Sequence, residues 1–150
     1  MATIAASITA GLEALIEGLT PEADASITWH HLDTLDEAES LPAGVAHRAF
    51  VLEWETPTLE QQWGTSAGRY RWPVRLVLMW DSRRKATRAT IQGVIGQDVR
   101  LIVDTIATAH AAIHANVHQI ELEPGGPADK TGDVWTHALP LAVIYVDAMQ

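Results

Sequence analysis

Residues 69–80, RYRWPVRLVLMW, decide how the rest of the chain is read. Successive side chains of an extended strand point to opposite faces. Tyr70, Trp72, Val74, Leu76, Leu78 and Trp80 therefore share one face, and Arg71, Arg75, Val77 and Met79 share the other. Six consecutive large apolar residues on one face, with an aromatic at each end, predict a long strand covered on that side. Pro73 lacks a backbone donor, which predicts an edge position or a bulge near the strand's start.

Upstream, residues 45–55 alternate in the same way, with Phe50, Leu52 and Trp54 against Val51, Glu53 and Glu55, and Pro57 ends the run. Residues 56–68 (TPTLEQQWGTSAG) read as a long connection between the two strands, with Trp63 isolated in it. A large aromatic in a polar loop is either tucked beneath it or used as an interface anchor. Further upstream, residues 33–44 read as an acidic loop and residues 27–32 as a short first strand. Ile4, Ile8, Leu12, Leu15, Ile16 and Leu19 recur at three- and four-residue spacing, which predicts an amphipathic helix over 2–19. Thr20-Pro21 stops it, because proline disfavours a helical residue before it.

Downstream, residues 81–88 (DSRRKATR) form a turn leading to a helix, with Asp81, Ser82, Thr87 and Thr90 as candidate N-caps. The helix is predicted over 89–114, since Ile91, Val94, Ile95, Leu101, Ile102, Ile106, Ala109 and Ile113 trace a broad apolar stripe. Asn116 is the expected left-handed residue beyond its end. Residues 117–123 predict a short strand, and 124–133 (PGGPADKTGD) a turn-rich loop. Residues 134–146 predict a last strand, apolar on both faces in its second half and so expected inside the sheet or against a partner. The order predicts one α+β domain over residues 1–150, a mainly antiparallel sheet packed against an N-terminal helix and one long central helix.

The composition bounds the function. At 47% hydrophobic and 19% charged, the chain is ordinary for a globular protein. No apolar run approaches the ~18 residues that would span a bilayer, and no basic segment at the N-terminus marks a secretory signal, so a cytoplasmic site of synthesis and no membrane partner are expected. There is no cysteine, hence no disulfide and no thiolate chemistry. A net charge of −9 argues against general nucleic-acid binding. The charge is polarised: residues 69–100 hold Arg69, Arg71, Arg75, Arg83, Arg84, Lys85, Arg88 and Arg100, against only Asp81 and Asp98. Such a band is either neutralised within the fold or offered to the acidic face of a neighbouring copy. Arg83, Arg84, Lys85 and Arg88, with Trp63, are the candidate subunit or partner interface.

The sequence contains no recognisable catalytic constellation. His110, His114 and His118 stand at four-residue spacing, but His118 lies beyond the expected helix end and no carboxylate joins them as a third ligand. His30-His31 with Asp33 is a sparser set. No Gly-x-Ser-x-Gly elbow is present, and Gly93 and Gly96 lie within a helical pattern rather than in a phosphate-cradling loop. Glu53/Glu55 and Glu121/Glu123 share polar strand faces of the ordinary solvated kind. Neither an enzyme nor a metal or cofactor site is expected.

The succession of an apolar N-terminal helix, the strands AFVLEWE (49–55) and YRWPVRLVLMW (70–80), a long helix (91–112), and the strands QIELE (119–123) and LPLAVIYVD (139–147) resembles the tail terminator proteins of long-tailed bacteriophages and their tail-completion and neck relatives. The resemblance implies an α+β virion protein, assembled in the bacterial host cytoplasm, that forms a hexameric ring on the tail tube. Such a ring ends tube polymerisation and presents a joining surface to the head connector. Its partners would be copies of itself, the tail tube protein and the head–tail connector or neck protein, and the family offers no catalytic residues to carry over. Loops 124–133 and 56–69 would be the positions to meet the tube or a neighbour. Alternatives of other classes are a neck-completion protein, a module of a bacterial secretion or toxin system, and a small-ligand enzyme or sensor with a pocket between sheet and helices.

Overall fold

The computed structural model describes residues 3–23, 25–33, 47–64, 67–83, 90–123, 125 and 128–148. Its elements, in chain order, are α1 (Ile4–Glu17), β1 (His30–His31), β2 (Ala49–Trp54), β3 (Thr58–Trp63), β4 (Ala67–Asp81), α2 (Ile91–Thr108), α3 (His110–Ile113), β5 (Val117–Leu122), β6 (Asp129–Thr131) and β7 (Val134–Ala148). The seven strands form one mixed sheet and the helices lie on one face of it, an α+β fold.

Two fifteen-residue strands, β4 and β7, are the spine. They pair antiparallel along their whole length, from Ala67↔Ala148 to Asp81↔Val134. Each then carries two short strands on its other side. β2 and β3 follow one another along β4, and β5 and β6 follow one another along β7. β1 adds beside β2 as the one parallel pair among the described residues.

This arrangement corrects the expectation for Pro73. The proline lies within a central strand, not on an edge. Its carbonyl accepts from the Glu55 amide just past the end of β2, so its donor-less nitrogen faces the gap where β2 leaves and β3 begins. Pro140 repeats the device on β7, accepting from the Glu123 amide where β5 ends and before β6 begins. No ladder bond is lost at either place.

Two stretches expected as loops are strands. Residues 58–63 form β3, and part of 124–133 forms β6, each closing a hairpin through a glycine of positive φ, Gly64 and Gly132. Both strands are exposed, β6 wholly polar and β3 polar but for Leu59 and Trp63, so no apolar alternation marks them. The central helix is shorter than expected. It starts at Thr90, whose Oγ1 accepts from the Gly93 amide, and ends at Thr108, with one further turn, α3, after Ala109. Asn116 is not left-handed; it sits in the turn to β5, and its Nδ2 donates to the Val146 carbonyl. Asp81 does not cap the helix but ends β4, and Thr87 and most of the acidic segment 33–44 lie outside the described residues.

The main core lies between sheet and helices. Ile8, Leu12 and Ile16 of α1 and Val94, Ile95, Ile102 and Ile106 of α2 meet Trp72, Val74, Leu76, Leu78 and Trp80 of β4 and Leu139, Leu141, Val143 and Tyr145 of β7. Each aliphatic side chain so buried contributes roughly 1.5–3 kcal/mol. Gly11 allows α1 its closest approach: a Cβ there would stand 2.2 Å from the Ile113 carbonyl oxygen of α3. Aromatic pairs continue the core along the spine, with Trp29 edge-on to Trp80, Trp54 against Trp72, and Tyr70 stacked on Tyr145. The second half of β7, apolar on both faces, lies between β4 and β5 as its pattern predicts.

Candidate assembly surface

The opposite face of the sheet divides in two. Leu32, Ala49, Val51, Val77 and Met79 form a second apolar cluster toward one end of β4. Toward the other end the same face is charged. Arg75 pairs with Glu53 directly across the β2–β4 ladder, 2.9 Å apart, and Arg71 reaches over β7 to Glu121. These side chains, with Glu55 and Glu123, flank a shallow groove of about 310 Å³ whose floor includes Ala142.

The described arginines of the basic band are thereby paired within the chain. Each described arginine has a carboxylate within 4.0 Å: Arg48 with Asp98, Arg69 with Glu60, Arg71 with Glu121, Arg75 with Glu53, Arg83 with Asp81 and Asp133, and Arg100 with Asp104. Of the four basic candidates for an interface, Arg83 alone falls among the described residues; Arg84, Lys85 and Arg88 lie outside them. The Arg83 guanidinium donates to both oxygens of the buried Asp81 carboxylate, at 3.0 and 2.9 Å, and lies 3.4 Å from Asp133. Its pKa is raised, chiefly by the Asp81 hydrogen bond, which outweighs an opposing desolvation, with the charges of Asp81 and Asp133 adding to the rise.

Trp63, the fifth candidate, ends β3 rather than standing in a loop. β4 separates it from Arg83, about 45 Å along the strand at ~3.3 Å per residue, so the two belong to different surfaces. Trp63 is 42% exposed and Leu59, on the same strand, 41%; they are the large apolar residues exposed among the described residues. All six residues of β3 are exposed, and among the described residues β3 bonds only to β4, which leaves its other backbone edge without a described partner. A one-residue bulge between Leu59 and Gln61 puts Leu59 on the helix-side face with Tyr70, and Gln61 and Trp63 on the other with Arg69 and Ala67. An open edge with two exposed apolar side chains is a surface suited to another strand.

The histidines are dispersed. His110 is on α3, His114 Nδ1 accepts from the Asn116 amide, and His118 is the exposed extra residue of a bulge in β5. Among the described residues no three ligating side chains converge. His31 lies near Glu13 and Asp33 at 3.5 and 4.0 Å, an ion pair that depends on its protonation. Between α2 and β7 an open apolar groove of about 570 Å³ is lined by Ile95, Val99, Val103 and Trp135, with His137 at its floor. The Trp135 Nε1 is buried there without an acceptor among the described residues, Lys130 lies over its ring, and burial lowers the His137 pKa. No helix among the described residues is long and apolar enough to cross a membrane.

One buried site escaped the sequence reading. Arg48 and Asp98 are 0% and 1% exposed, and Asp98 accepts a bidentate pair from Arg48 together with the Trp80 indole N–H. The signal was present: Asp98 falls on the apolar stripe of α2 between Ile95 and Ile102, and Arg48 is the sole base before residue 69. No protein-family model matches this chain, and no curated protein is detectably similar to it.

Proposed function

We propose that this chain is a structural subunit of a phage-type tail, forming a ring that caps the tail tube, ends its polymerisation and offers the surface on which the head connector or neck protein seats. The single observation that carries the reading is the open β3 edge with Leu59 and Trp63 exposed upon it. Monomeric proteins blunt or cover such edges, and an uncovered apolar one marks a place of association. The element order that resembles tail terminators supports the same reading. The internal pairing of the arginines leaves strand edges and apolar anchors, rather than a general charge patch, as the means of assembly among the described residues.

A ring is also what such a protomer favours. Contacts between two different surfaces of identical copies either close by rotation or run on as filaments. A closed ring on a tube end stops growth when its outward face no longer matches the next tube ring. Light scattering over a concentration series, alone and with isolated tail tubes, tests this: a species of about six protomer masses is expected from the resemblance to tail terminators, and any closed cyclic assembly gives one discrete mass. A monomer throughout that leaves tube length unchanged overturns the reading. A neck-completion role differs in the partner bound, and co-sedimentation with tubes against connectors separates the two.

The α2–β7 groove favours a second reading, a small-ligand sensor, through its apolar lining and the unpartnered Trp135 indole N–H. A shift of tryptophan fluorescence on adding apolar ligands, lost in Trp135→Phe, would favour it over assembly.

A further inference from the structure

We infer that the ring is closed by strand pairing, the β3 edge of one copy adding to the β5 edge of the next. The inference rests on the ring reading above and names the surface and the partner, a second copy of this chain.

The described sheet has β3 at one edge and β5 at the other of the run β3-β4-β7-β5. Each neighbouring pair within that run is antiparallel. β5 therefore runs with β4, and β3 runs with β7. If the next copy continues the sheet with its helices on the same side, its β3 arrives antiparallel to β5. The alternation is then unbroken across the junction. This pairing needs no change in either strand, and antiparallel pairing is the slightly more stable kind per residue.

The two edges also match in detail. Each is six residues long, neither contains proline, and each carries a one-residue bulge, between Leu59 and Gln61 in β3 and between Val117 and Gln119 in β5. Their faces agree. On the helix side, Leu59 would extend the apolar line of Ile120 and Leu122; on the other, Gln61 and Trp63 would join Gln119 and Glu121. Leu59, 41% exposed in the monomer, would be covered at the junction beside Ile120 at the margin of the core, and cross-strand pairs of this kind contribute roughly 0.2–1 kcal/mol each. Because the edges differ, the contact is heterologous, and an open chain of copies keeps one free β3 edge and one free β5 edge, at its two ends, until the ring closes. The alternative, β3 against β3 about a two-fold axis, would saturate at a dimer.

The natural chain has no cysteine, so introduced thiols report the geometry directly. Copies carrying Gln61→Cys are mixed with copies carrying His118→Cys, Gln119→Cys or Glu121→Cys and oxidised under conditions where the wild-type chain forms its ring. Disulfide dimers are expected in at least one mixture and not with Gln61→Cys alone. The double variant Gln61→Cys/Gln119→Cys, or its register neighbour, should give a ladder ending at the ring size. Leu59→Lys with Trp63→Lys, both at exposed positions, should raise the concentration needed for assembly at least tenfold while leaving the circular dichroism spectrum unchanged. Dimers from Gln61→Cys alone would overturn the inference in favour of the two-fold contact. Rings that form with none of the β5 crosslinks would overturn it and leave the ring reading standing. Absence of any ring, with or without tubes, would overturn the ring reading itself.

Discussion

Arg48 and Asp98, fifty residues apart in the chain, form a fully buried bidentate ion pair: Arg48 Nε donates to Asp98 Oδ2 at 2.8 Å and Nη2 to Oδ1 at 3.0 Å. The same guanidinium donates to the Ile27 and Ala23 carbonyls, and the Trp80 indole donates to Asp98. One cluster thus ties the start of β2, the segment after α1, the end of β4 and the middle of α2. Arg48 holds a left-handed backbone, φ 56°, which costs a non-glycine residue roughly 1–2 kcal/mol. That strain persists because the side chain's bonds leave the backbone no alternative.

Removing either member strands the other charge in the core. Arg48→Met and Asp98→Leu should each lower stability by about 3–5 kcal/mol, whereas the double variant should lose much less than the sum, since a buried pair against an apolar replacement is near balance. Urea unfolding of the four species forms the cycle; strictly additive losses would show that the pair does not act as a unit.

Gly11 is required by distance rather than by backbone angle. Gly11→Ala places its Cβ on the Ile113 carbonyl and should cost about 1–3 kcal/mol as α1 is pushed off α3. Gly96→Ala, in open space on α2, should instead stabilise by up to about 1 kcal/mol through helix propensity. Thermal melts of the two variants in opposite directions are the expected result.

Burial raises the Tyr145 pKa, with the Asp147 charge and Tyr70 adding to it. The unfolded tyrosine therefore ionises first, so stability should fall as pH rises through the ordinary tyrosine range near 10. His137 is shifted in the opposite sense, downward by burial, and its contribution should be lost as pH falls below its ordinary value. Tyr145→Phe should flatten the alkaline limb of the stability profile and His137→Gln the acid limb, each read from denaturation midpoints against pH.

Pro73 and Pro140 stand two register positions apart across the β4–β7 ladder, Pro73 opposite Ala142 and Pro140 opposite Arg75. Their nitrogens face the gaps between successive short strands. Pro73→Ala and Pro140→Ala should therefore lose only about 0.4–1 kcal/mol, the gain in unfolded-chain freedom. Proline at Val77, inside the continuous β2–β4 ladder, should cost ~3 kcal/mol or more, as Pro does where a backbone bond is broken. Chemical denaturation of the three variants makes the comparison.

What the sequence determined by itself is what depends on local period. β2, β4, β7 and α1 were legible because burial of one face stamps a two- or near-four-residue rhythm on the chain, and that rhythm is independent of which partner supplies the cover. The tertiary structure decided what depends on the partner. β3 and β6 are strands only because β4 and β7 extend far enough to pair with them, and polar residues record no such pairing. Pro73 looked like an edge residue because its local chemistry is that of an edge; only the succession of β2 and β3 along one side of β4 gives its nitrogen a gap inside the sheet. Trp63 was singled out as an anchor from its isolation, but the open edge that gives it a use lies in backbone pairing. Arg48 and Asp98 each left a trace in the sequence, a lone base among acids and an acid on an apolar stripe. Joining them required the fold, since charges fifty residues apart carry no mark of each other until the chain brings them to 2.8 Å.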